Sequence, residues 1–109
     1  MAYDEALADR VRDVLAPRAD VTERKMFGGI AFMVGGNMAV GVLGDDLMVR
    51  VEPTDAEQAL REPHTRPMDF TGKPMKGMLF VDSSGTEADE DLAGWVDAGA
   101  DFAASLLPQ

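Results

Sequence analysis

Two glycine-led turn signals, Gly35-Gly36-Asn37 and Gly44-Asp45-Asp46, constrain this chain more than any other feature, because short apolar runs flank both. Tight hairpins need residues that accept positive φ, and Gly, Asn and Asp do so at the lowest cost. The flanking runs therefore pair as antiparallel neighbours. Three consecutive strands are expected: Thr22 to Val34, Asn37 to Leu43, and Leu47 to Glu52. Gly28-Gly29 interrupts the first of them and reads as a bulge or bend within it.

Around this meander the periodicity changes. Leu7, Val11, Val14 and Leu15 repeat at helical spacing between Asp4 and Pro17, with Asp9, Arg10, Arg12 and Asp13 on the other side. Pro53-Thr54-Asp55 opens a short helix to about Arg61, with Thr54 as its expected N-cap. Arg66 to Phe70 reads as an edge strand because proline punctuates it, and Met75 to Asp82 as a further strand. Thr86 is placed to cap a long closing helix whose stripe holds Leu92, Trp95, Val96, Phe102, Ala103 and Leu106. Trp95, mid-stripe, is assigned to the core. The order is helix, three strands, helix, two strands, helix. It predicts one two-layer α+β domain over residues 1–109, with an antiparallel sheet covered mainly on one face.

Composition narrows the chemistry. The chain lacks cysteine and has one histidine, which excludes disulfides, thiolate metal sites and cysteine nucleophiles. Its start is acidic and it holds no long uninterrupted apolar run, so a cytoplasmic location is expected. The net charge of -10 repels phosphate backbones, and direct nucleic-acid binding is not expected. Charge is also uneven. From Gly77 to Gln109 there is no Lys or Arg, and the acids Asp89, Glu90, Asp91, Asp97 and Asp101 fall on the closing helix.

Catalytic patterns fail one by one. Gly36 to Gly41 has phosphate-loop spacing but is followed by Val42-Leu43, without the lysine and hydroxyl that hold phosphate and magnesium. Asp89, Asp91 and Gly94 imitate a calcium loop, yet Ala100 stands where its bidentate glutamate belongs. His64 has no nucleophile or orienting acid beside it in sequence, Ser83 and Ser84 lack the nucleophile-elbow pattern, and Asp45-Asp46 sits in a turn. No catalytic, metal or cofactor-binding residue is assigned, and the chain is not expected to be an enzyme. What stands out is methionine: Met26, Met33, Met38, Met48, Met68, Met75 and Met78 lie on or beside strands. Methionine fills cores, and it also forms surfaces that adapt to variable partners.

Arg24-Lys25-Met26-Phe27-Gly28-Gly29, the Gly-Asn hairpin, Leu47-Met48-Val49-Arg50-Val51 and the closing helix from Leu92 to Trp95 together resemble the TfoX/Sxy N-terminal domain. The resemblance runs over almost the whole chain. It implies a bacterial α-β-β-β-α-β-β-α domain similar to secretion-chaperone-like folds, often homodimeric. It also implies a role in competence regulation together with the cyclic-AMP receptor protein. Longer members carry a C-terminal helix-hairpin-helix domain, which is expected to be missing here and weakens any DNA-linked role. The S-adenosylmethionine loop that some relatives' methyltransferase-like names suggest is not visible. The expected function is therefore a non-catalytic regulatory domain acting through a protein partner. Its candidate contact residues are Arg24, Lys25, Phe27, Gly28, Gly29, Arg50, Lys73 and Lys76. The alternative expectation is a small-molecule or peptide carrier that uses a methionine-rich sheet face.

Overall fold

The computed structural model describes residues 3–26, 28–69 and 74–106. In chain order it holds α1 (Glu5–Leu15), β1 (Val21–Met26), β2 (Gly29–Val34), β3 (Asn37–Leu43), β4 (Asp46–Arg50), α2 (Ala56–Ala59), β5 (Thr65–Asp69), β6 (Pro74–Val81) and α3 (Asp89–Ser105). The six strands form one antiparallel sheet in the order β1-β2-β3-β4-β6-β5. The α+β class and the flanking helices match expectation. The strand count does not. The segment from Thr22 to Val34 is a hairpin, with Met26 opposite Gly29 and Gly28 at φ 76°. Gly28 at positive φ reverses the chain while Gly29 already pairs in β2, so a hairpin turn stands where a bulge or bend within one strand was expected.

The two turns read from the sequence are two-residue loops, closed by the pairs Val34–Asn37 and Leu43–Asp46. Gly35, Gly36 and Gly44 all have positive φ. Between β2 and β3 the register slips by one: Met33 faces Met38 but Phe32 faces Val40, which leaves Ala39 as the extra residue of a bulge. Proline is accommodated in β5 because that strand lies at the sheet edge.

The helices cover one face. Asp4 caps α1, its carboxylate accepting from the backbone N–H of Ala6 and Leu7 at 2.9 and 3.2 Å. From α1, Leu7, Ala8, Val11 and Leu15 are buried against Phe32, Val40, Val42, Leu47 and Val49 of the sheet. α3 adds Leu92, Val96, Ala100 and Ala103. Spacing i, i+4, i+8, i+11 gives this stripe, and Trp95 falls on its flank. The tryptophan is only partly buried against the core, which corrects the core assignment.

Two expected caps are also corrected. Thr86 closes a 3-10 turn at Ser83–Gly85, its hydroxyl donating to Ser83 O at 3.3 Å, and α3 starts later with Ala88 as N-cap. Thr54 lies inside a 3-10 turn over Pro53–Asp55, and no side chain caps α2. In both places the preceding residues form a tighter turn first and displace the helix start.

Ion pairs join the acidic helix to the other end of the chain. Arg10 pairs with Asp89 at 3.0 Å, and Arg18 with Asp101 at 2.7 Å and Asp97 at 3.5 Å. The charge run on α3 is therefore a partly neutralised outer face of the helix layer.

Candidate interaction surface

Side chains alternate across a strand, so every strand that points one residue into the helix-covered core points the next to the other side. On that second face one row crosses all six strands: Arg24, Ala31, Gly41, Met48, Phe80 and Arg66, each opposite the next in the register, with the two arginines exposed and the four residues between them buried. Small residues occupy the middle of the row. Met48 lies over Gly41 so closely that a Cβ there would meet its methyl carbon at 2.5 Å. Met48, Met78 and Phe80 form a second apolar cluster, with Met38 and Leu43 partly buried against it. This cluster is separate from the main core. Methionines Met33, Met38, Met48 and Met78 thus belong to one sheet face. The side chains of Met68 and Met75 lie outside the described residues.

Arginines border this face. Arg66 stands 4.7 Å from the Phe80 ring centroid while its guanidinium pairs with both carboxylate oxygens of Asp46. That hydrogen bond holds the Arg66 guanidinium above its ordinary pKa. Arg50 lies 5.4 Å from the Phe102 ring centroid, and its Nη1 donates to Met38 O at 3.5 Å. At the opposite edge Arg24 is exposed on β1.

Elsewhere the single histidine is engaged with a structural partner. His64 is an exposed residue at φ 68°, its Nδ1 3.5 Å from Asp82 Oδ1. The same oxygen accepts from the backbone N–H of Ser84 and Gly85. No group of three or more His, Cys, Asp or Glu that could hold a metal occurs among the described residues. A recess of about 300 Å³ between α1 and α3 contains the Arg10–Asp89 pair. Another of about 240 Å³, beside the end of α1, contains the Arg12–Glu23 pair. Both open on the helix side, away from the methionines. No described helix is long and apolar enough to cross a membrane.

The family model for the TfoX N-terminal domain matches residues 13–103, which includes the whole sheet and nearly all of α3. The chain belongs to this family. No curated protein and no solved structure matches the chain. In this TfoX N-terminal domain the Arg24-to-Gly29 segment is the end of edge strand β1 and the first hairpin. Among the expected contact residues, Arg24 is exposed on the face away from the helices, the guanidinium of Arg50 lies against Phe102 of α3, and Lys25 pairs with Ile30 and by alternation points to the helix side. Phe27 and Lys73 lie outside the described residues, and so does the side chain of Lys76, whose backbone is in β6.

Sequence reasoning missed Arg66, Asp46, Met48 and Phe80 as a unit. The two-residue turn at Gly44-Asp45 fixes Gly41 opposite Met48 and could have revealed half of the row.

Proposed function

We propose that this TfoX N-terminal domain is a non-catalytic cytoplasmic regulatory module that acts by contacting a protein partner, and that any effect on transcription or competence passes through that partner. The observation supporting this reading is the sheet face opposite the helices, where the partly exposed Met33 and Met38 share a face with the exposed Arg24 and Arg66 in a chain whose net charge is -10. Methionine surfaces adapt to partner side chains, and arginine adds charge-assisted contacts. The same net charge disfavours direct contact with DNA.

Native mass spectrometry of the tagged protein from its own host's cytosol tests the reading. A second polypeptide bound in stoichiometric amount is expected. A stoichiometric small molecule without any polypeptide would overturn the reading in favour of a carrier.

A further inference from the structure

The two edges of the sheet are guarded differently. At one, β5 carries Pro67, which has no N–H to offer, and its register slips between Pro67 and Asp69. At the other, β1 holds an unbroken register with β2 from Val21 to Met26 and contains no proline. The free side of β1 can be assigned residue by residue. Gly35 N–H donates to Asp20 O at 2.9 Å, so Asp20–Gly35 is a hydrogen-bonded pair, and by alternation so are Thr22–Met33, Arg24–Ala31 and Met26–Gly29. The N–H and C=O groups of Val21, Glu23 and Lys25 therefore point away from the sheet.

The recess of about 240 Å³ beside the end of α1 adjoins this edge, since Val21 and Glu23 both line it. Ala16 is exposed there and Val21 partly so, with Leu15 and Phe32 buried behind them. Glu23 is held by Arg12, while Arg24 and Lys25 are exposed and have no ion pair among the described residues. Resting on the protein-contact reading above, we propose that β1 accepts an extended acidic segment of a partner protein as a further antiparallel strand. Backbone hydrogen bonds to Val21, Glu23 and Lys25 hold the segment. Its apolar side chain opposite Val21 enters the recess, and its carboxylates opposite Arg24 and Lys25 meet the two cations. A second copy would bring the same two cations to this edge, whereas an acidic segment neutralises them.

Amide hydrogen exchange of the whole protein, followed by NMR, tests this with a synthetic end-blocked peptide Val-Glu-Glu-Thr-Thr-Leu, which sets its glutamates against Lys25 and Arg24 and its leucine against Val21. Saturating peptide is expected to slow exchange at Val21, Glu23 and Lys25, while Thr22 and Arg24 are slow already in the free protein. The same peptide with lysine for glutamate is expected to slow none of them. Lys25→Pro removes an outward N–H and none of the bonds to β2, and is expected to abolish the effect. Arg24→Glu, at an exposed position, weakens binding about threefold and serves where the proline variant does not fold. Unchanged amides, equal slowing by both peptides, or the same slowing on raising protein concentration alone would overturn the proposal, the last by seating a second copy. Unchanged amides reject this edge even where a polypeptide co-purifies with the protein. A failed co-purification rejects the protein-contact reading and leaves the peptide result standing.

Discussion

Arg12 and Glu23 join α1 to the edge strand β1 through a two-point pair, with Arg12 Nε and Nη2 each 2.8 Å from a different Glu23 oxygen. Arg12 also holds Asp9 at 2.6 Å and stands 5.8 Å from the Phe32 ring centroid. The pair therefore stands over a core aromatic between α1 and β1.

Hydrogen bonding to Arg12 lowers the Glu23 pKa below 4.5. A carboxylate with a depressed folded-state pKa contributes stability above its unfolded value and loses that contribution as pH falls through the folded one. Both side chains are more than a third exposed, so the pair contributes less than about 1 kcal/mol after screening. Glu23→Gln is expected to lower stability by that amount at pH 7 and by nothing near pH 2. Urea titrations of both proteins at the two pH values, repeated at high salt, check it; an equal deficit at both pH values would refute the ion-pair account.

Gly29 and Gly94 are predicted to respond oppositely to alanine. A Cβ at Gly29 would sit 2.3 Å from Val42 O, a backbone atom of the paired strand that cannot move without breaking the ladder. At Gly94, on the exposed side of α3, nothing lies within 4 Å. Gly94→Ala is expected to stabilise by up to about 1 kcal/mol through helix propensity. Gly29→Ala should destabilise by about 2 kcal/mol or more, as overpacking against fixed atoms does. Thermal unfolding of the two variants gives the signs directly.

The unequal legibility of the chain follows from where information resides. Helix α1 and the turns at Gly35-Gly36 and Gly44-Asp45 depend on local chemistry, and they were readable. Trp95 shares the helical period of the buried stripe, but whether a flank position is covered depends on what α3 packs against. The bulge at Ala39 is harder still. Extending the register from Val34–Asn37 without a bulge would place Ala31 opposite Val40 and Gly29 opposite Val42, and turn both valines away from the core. Only burial of Val40 and Val42 on the helix side selects the slipped register, and with it the row that carries Gly41 and Met48. Arg24 and Arg66 are far apart in sequence and meet one row only because six strands lie between and including them.

Burial separates two aromatic residues that both sit in apolar patterns. Phe32 is 0% exposed in the main core, whereas Trp95 is partly buried beside it. Phe32→Ala is expected to cost about 3–5 kcal/mol, and Trp95→Ala less than half as much despite removing the larger ring. Denaturant midpoints at unchanged slope measure both; a larger loss at Trp95 would place the indole in the core after all.

Methionine oxidation should sort the open face by depth. Met33 and Met38 are partly buried, whereas Met48 is 1% and Met78 8% exposed beneath their neighbours. Peroxide attacks accessible thioethers first and converts an apolar side chain into a polar one. Mild treatment is therefore expected to yield sulfoxide at Met33 and Met38 well before Met48, read by peptide mass spectrometry. Met48 should react only when the fold opens, because its methyl fills the space above Gly41. The order of reaction then reports how tightly this face packs. Early oxidation of Met48 would mean that the Met48–Gly41 contact opens in solution and that the cluster is looser than its geometry requires.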